Sequence, residues 1–246
     1  MDQYGLIGFP LGHSFSRSYF NERFRKERIN AEYLNFEIPT IENFPDILKS
    51  NPSLKGLNVT IPYKEKIIPY LDELSIEASS IKAVNVIKII KNNDKTELIG
   101  HNTDVIGFTQ SLKPLLKPHH TKALVLGTGG ASKAVCHGLN LLGIDYQYVS
   151  RHESETAISY EQLTPQIMAE HEVIVNCTPI GMYPHTEECP NIPYEQLTPN
   201  HLLFDLIYNP DVTLFMQKGI QQGAIAKNGL EMLKLQAIAA WEIWQK

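Results

Sequence analysis

At 246 residues, with 43% hydrophobic and 20% charged content, the chain is long enough for two domains of ordinary size and too apolar for disorder. A formal charge of −5 gives no general attraction to nucleic acid or acidic membrane surfaces, so nucleic acid is not an expected partner. No window approaches the roughly 18 consecutive apolar residues of a membrane span, the first residues lack a signal-peptide pattern, and the three cysteines, Cys136, Cys177 and Cys189, are scattered; a cytoplasmic protein without membrane attachment is expected. No H-E-x-x-H or comparable ligand cluster marks a metal site, and His119-His120, beside Pro118, is expected to be a solvent-exposed loop pair.

In chain order, β-rich and helix-patterned segments alternate. Residues 4–7 read as strand, 17–28 as a helix whose basic cluster alternates with acid as a solvated face does, 33–38 as strand, 41–50 as helix and 56–60 as strand. Residues 83–90 and 97–100, joined by Lys91-Asn92-Asn93-Asp94, suggest a hairpin. Polar residues stand where these strands end: Ser14 and Ser16 after the first, Asn58 and Thr60 in the third, Asn85 near the hairpin, and Asn102-Thr103-Asp104 after it. Ligands of open α/β sheets bind beyond the carboxyl ends of strands, and hydroxyls and amides suit a polyol; taken singly, each is as readily a turn former or helix cap. Lys64 follows this set closely, and Asp104 is its natural acidic counterpart. A lysine against a carbonyl oxygen stabilises the alkoxide formed by hydride delivery, with the carboxylate holding the ammonium; a surface ion pair or an N-cap is the open alternative.

A linker over residues 113–121, with Pro114 and Pro118, precedes a second unit. There the apolar run Ala123-Leu124-Val125-Leu126 breaks into Gly127-Thr128-Gly129-Gly130-Ala131-Ser132 and a helix over 133–142, with further strands at 146–149 and 173–176. Strand, glycine turn and helix start together form a pyrophosphate cradle, although the usual third glycine is Ser132. Where a dinucleotide site that reads a ribose 2′-hydroxyl places an acid, the chain has Ser150-Arg151-His152. An arginine there pairs with a 2′-phosphate and favours NADP; Glu153 and Glu155 either reach a 2′-hydroxyl or are ordinary solvated residues. Near the C-terminus Leu230, Leu233, Ala237, Trp241 and Trp244 recur at three- and four-residue steps, predicting a helix with a buried face and Gln236 exposed beside it.

Seven motifs in this order resemble the NADP-dependent shikimate dehydrogenases: Gly8-Phe9-Pro10-Leu11-Gly12-His13-Ser14-Phe15-Ser16, Asn58-Val59-Thr60-Ile61-Pro62-Tyr63-Lys64, Ala83-Val84-Asn85, Asn102-Thr103-Asp104, the glycine turn from Gly127, Asn176-Cys177-Thr178-Pro179-Ile180-Gly181-Met182, and Gly229-Leu230-Glu231-Met232-Leu233-Lys234-Leu235-Gln236-Ala237. The resemblance implies NADPH-dependent reduction of 3-dehydroshikimate to shikimate by two α/β domains with a cleft between them: a substrate-binding domain of residues 1–102 completed by a C-terminal helix of 230–246, and a Rossmann-like domain of 103–229. It implies Lys64 and Asp104 as the catalytic pair, and Ser14, Ser16, Thr60, Asn85, Tyr208 and Gln236 as substrate contacts. Gly127, Thr128, Gly129, Gly130, Ala131, Ser150, Arg151, Thr178, Ile207 and Gly229 would hold the cofactor. A monomer or homodimer is expected. The sequence departs from the pattern after Arg151, where a second arginine of many relatives is replaced by Glu155.

Overall fold

The computed structural model describes residues 1–12, 15–92 and 95–246. The chain divides into two compact units, Met1–Thr103 with Ala237–Lys246, and Asp104–Gln236.

In the first unit β1 (Asp2–Gly8), α1 (Phe15–Glu27), β2 (Ala31–Glu37), α2 (Phe44–Ser50) and β3 (Leu54–Val59) alternate, and β2 and β3 flank β1 in parallel. Then follow β4 (Glu73–Leu74), α3 (Ile76–Ile81) and the antiparallel pair β5 (Val86–Asn92) and β6 (Lys95–His101), giving the sheet order β2-β1-β3-β5-β6-β4. The turn residues Asn93 and Asp94 lie outside the described residues. Strand alternation sends Ile7, Leu57, Val59 and Ile87 into one cluster and Tyr4, Leu6 and Val86 into another, built around Phe20, Phe24, Tyr33, Trp241 and Trp244. In the second cluster Phe20 and Tyr33 stack at 4.8 Å, and the Trp244 indole N–H donates to the Ile87 carbonyl at 3.0 Å, so the aromatic layer is both packed and hydrogen-bonded.

The second unit runs α4 (Asp104–Leu112), β7 (Lys122–Leu126), α5 (Gly130–Leu141), β8 (Asp145–Ser150), β9 (Ala157–Ser159), α6 (Pro165–Glu170), β10 (Val173–Asn176), β11 (Leu202–Asp205), α7 (Leu214–Gln221) and β12 (Ile225–Lys227). Its strands lie in the order β12-β11-β10-β7-β8-β9, every pair parallel. Apolar clusters cover both faces, which is why β10 and β11 are buried at every position rather than at alternate ones. The last helix, α8 (Leu230–Gln245), belongs to both units: Met232 joins a core cluster of the second, while Ala237, Ala240, Trp241 and Trp244 join the aromatic layer of the first. Among the described residues no helix is long and apolar enough to cross a membrane.

Of the expected exposed histidine pair, His119 is exposed and His120 is not. His120 is 4% exposed: its Nδ1 accepts from the Lys117 N–H at 3.0 Å and its Nε2 faces the Asn200 carbonyl at 2.9 Å. A buried imidazole must satisfy both ring nitrogens, and here two backbone groups do so, fixing the tautomer with the proton on Nε2.

Candidate active site

β7 ends at Leu126 and the chain turns at Gly127, whose φ of +96° strains any other residue and where an added Cβ would lie 2.9 Å from Thr178 Cγ2. Gly129 caps α5 without a side-chain hydrogen bond, and nothing among the described residues lies within 4 Å of where its Cβ would be. Internal packing therefore does not demand a glycine at 129, and the open space leaves the N-terminus of α5 accessible to a ligand. Thr128 is exposed, and Gly130 and Ala131 are half-buried in the first turn. Ser132, in place of the third glycine, is fully buried and donates its hydroxyl to the Gly129 carbonyl at 2.7 Å, so it stiffens the turn. The turn stands on β7, where the strand order reverses between β8 and β10.

At the end of the neighbouring strand the Ser150 hydroxyl donates to the His152 carbonyl, and Arg151 is exposed in the loop that follows. Ser154 shapes that loop by accepting from the Ala157 N–H at 3.1 Å; Glu153 and Glu155 are exposed within it. Burial pushes the Tyr160 hydroxyl up to about 12, and the Arg151 charge opposes that shift. An open glycine turn on a helix start and a cation at the adjacent strand end fit a dinucleotide that carries a 2′-phosphate.

Thr178, Ile207 and Gly229, expected near the nicotinamide half, come from three separate loops, and one hydrogen-bond chain ties them together. Asn176 Oδ1 accepts from the Thr178 N–H at 3.0 Å and from its hydroxyl at 2.6 Å, and Asn176 Nδ2 donates to Asp205 Oδ1 at 3.0 Å. The same Asp205 oxygen accepts from the Ile207 N–H at 3.1 Å, while Oδ2 accepts the Thr213 hydroxyl at 2.6 Å. The Gly229 N–H donates to the Ile207 carbonyl at 3.0 Å, and an added Cβ at 229 would come within 2.1 Å of the Leu206 carbonyl oxygen. Sequence reasoning assigned no role to Asp205 or Asn176; the available signal was a carboxylate and an amide ending two otherwise apolar strands.

The first unit carries a second chain of polar contacts. Ser16 is 9% exposed and within hydrogen-bonding reach of the Tyr33 hydroxyl, which donates to Asn58 Oδ1 at 2.7 Å. Asn58 Nδ2 donates to the Asn85 carbonyl at 3.3 Å; Asn85 in turn clamps Thr103, accepting its N–H at 2.7 Å and facing its hydroxyl at 3.0 Å. Asn102 donates to the Ala83 carbonyl at 2.9 Å, and the Lys64 carbonyl accepts the Val84 N–H at 2.7 Å. Lys64 is thus fixed at its backbone with a half-buried side chain, and Asp104, 7% exposed, opens α4 directly after the clamped Thr103. The Thr60 N–H is held by the Ile7 carbonyl at 2.9 Å, and Tyr208 is 37% exposed. Ser14 lies outside the described residues. Gln236 corrects its expectation: it is 9% exposed, because α8 turns that face toward α4, where an added Cβ at Gly107 would lie 3.1 Å from Gln236 Cβ. Tyr33, unflagged in the sequence, is the buried link between Ser16 and Asn58.

A sheet of strand order 3-2-1-4-5-6 with a glycine turn at its reversal point defines the second unit as a dinucleotide-binding α/β domain. Residues 6–87 match the model of the shikimate dehydrogenase substrate binding domain. Over 269 residues the chain is 36% identical to the shikimate dehydrogenase (NADP(+)) of Desulforamulus reducens, covering 98% of this chain and 88% of that one. The shikimate dehydrogenase structure from Aquifex aeolicus superposes with a TM-score of 0.86 at 36% identity, over 99% of this chain and 92% of that one. Shikimate 5-dehydrogenase from Thermus thermophilus, in complex with NADP(H) and shikimate, superposes with a TM-score of 0.86 at 28% identity, over 99% and 93%. The chain belongs to the shikimate dehydrogenase family.

Proposed function

We propose that this protein catalyses the reversible NADPH-dependent reduction of 3-dehydroshikimate to shikimate, acting in the cytoplasm. The observation that carries the reading is the match along 98% of the chain to a relative named shikimate dehydrogenase (NADP(+)); the open glycine turn and the exposed Arg151 supply the matching chemistry. Three free cysteines suit a reducing compartment.

Gly127, Thr128, Gly129, Gly130 and Ala131 would hold the pyrophosphate, Ser150 and Arg151 the 2′-phosphate, and Thr178, Ile207 and Gly229 the nicotinamide end; when bound, NADPH supplies the hydride. Ser14, Ser16, Thr60, Asn85, Tyr208 and Gln236 serve as the polar contacts of a ring bearing hydroxyls and a carboxylate, with Asn58 and Tyr33 supporting them from the interior. Lys64 holds its ammonium at the carbonyl oxygen, stabilises the negative charge that develops there and passes a proton to it. Asp104 accepts from a substrate hydroxyl and orients Lys64.

The test is an absorbance assay of NADPH formation from shikimate, with quinate and NAD as controls. Turnover of shikimate with NADP, faster than with either control, is expected. Faster turnover of quinate would replace the reading with a quinate-directed enzyme, and faster turnover with NAD than with NADP would mean that Glu153 or Glu155 reads the ribose hydroxyl. Binding without turnover would point to a sensor.

A further inference from the structure

We propose that Asp205 is a positioning residue for the nicotinamide end of the cofactor, acting as the common hydrogen-bond acceptor that sets the loops after β10 and β11 in register. The inference rests on the cofactor reading above and deepens it. Asp205 is fully buried at the end of β11 and serves three donors: Asn176 Nδ2 at 3.0 Å and the Ile207 N–H at 3.1 Å on Oδ1, and the Thr213 hydroxyl at 2.6 Å on Oδ2. Each donor belongs to a different piece of chain. Asn176 passes the constraint to both polar groups of Thr178, Ile207 passes it through its carbonyl to the Gly229 N–H, and Thr213 caps α7 by accepting the Met216 N–H.

A carboxylate suits this place because it accepts on both oxygens and has nothing to donate, so three donors converge on it without competition. Burying a charge is costly, and burial raises the Asp205 pKa to about 6 although the three hydrogen bonds oppose the shift. Its charge in turn helps to push up the Cys177 thiol and the Tyr194 phenol. An amide of the same shape would avoid the cost of the buried charge while still accepting from Asn176 and Ile207, whereas an apolar residue would leave three buried donors unpaired. The cost is met where precise placement of Thr178 and Ile207 matters.

Asp205→Ala, Asn176→Ala and Asp205→Asn separate placement from general structure. The readouts are dissociation constants for NADP and for 2′,5′-ADP, which carries the adenosine and 2′-phosphate but no nicotinamide. In Asp205→Ala and Asn176→Ala, NADP affinity is expected to fall about tenfold or more while 2′,5′-ADP affinity stays within about twofold. Asp205→Asn keeps one acceptor oxygen for Asn176 and Ile207 and turns its amide to Thr213, so NADP affinity should return to within about threefold of the parent. Unchanged NADP affinity in both alanine variants would overturn the inference, as would a parallel loss of both ligands in both variants, which makes the network structural only. A parent protein that binds neither ligand would instead overturn the cofactor reading beneath it.

Discussion

Lys64 is tethered at its carbonyl by Val84 while its side chain remains half-buried and reachable. Its charge acts on an oxygen that becomes negative only as hydride arrives, so its loss should be felt in the transition state more than in binding. Lys64→Ala is expected to lower turnover about a hundredfold or more with cofactor affinity nearly intact; near-normal turnover in the purified variant would remove the role. Asp104→Asn should reduce turnover and shikimate affinity together, since the amide keeps the shape but loses the charge. Asp205 carries a separate pH signature. Burial is the main cause of its pKa rising to about 6 from an ordinary 3.8, so the folded state holds the proton more tightly than the unfolded one. Between those values the unfolded chain binds fewer protons, and stability therefore falls as pH rises through about 6. The ionised form costs on the order of 3 kcal/mol above that range. Asp205→Asn should accordingly raise the denaturation midpoint at about pH 8 and lose the advantage below about pH 4; a gain that did not vary with pH would refute the assignment.

At the scale of elements, the cofactor region depends on how strand ends meet. The residue before α8, Gly229, lies so close to the Leu206 carbonyl that an added Cβ would sit 2.1 Å away. Backbone on both sides cannot yield as a flexible side chain can, so Gly229→Ala should destabilise by roughly 1–3 kcal/mol and shift Ile207, whose carbonyl takes the Gly229 N–H. Urea denaturation measures the first effect and the Michaelis constant for NADP the second; an unchanged midpoint would mean that α8 slides without cost. The loop between β8 and β9 answers for cofactor choice. Arg151→Ala removes the cation at the end of β8, and charge-assisted contacts of this kind are worth about tenfold or more in affinity. The Michaelis constant for NADP should rise with little change for NAD. An equal rise for both would show that Arg151 supports the loop rather than reading the phosphate.

For the whole molecule, the sheet orders divide the labour: a mixed sheet with an antiparallel hairpin in the first unit, a fully parallel doubly wound sheet in the second. Their alternating composition, the glycine turn after an apolar strand, and the arginine after β8 were legible in the chain because periodicity, turn chemistry and strand-end charge are local properties. The short elements β4, β9 and β12 were not, since two- and three-residue strands carry no period to detect. Helix α5 starts at Gly130 rather than 133 because glycines that discourage a helix in isolation are held in its first turn by the strand before them.

By itself, then, the sequence determined the two α/β layers, the phosphate cradle and the identities of the polar residues at strand ends. Only the tertiary structure decided which of those residues face inward. Asn58 and Tyr33 became a buried support, Gln236 was covered, His120 was enclosed by two backbone groups, and Asp205 gathered donors from Asn176, Ile207 and Thr213. The reason is that a side chain's burial and partners depend on neighbours distant in the chain. Asn176 and Asp205 stand 29 residues apart yet share a hydrogen bond, because β10 and β11 pair in parallel and bring their last residues side by side.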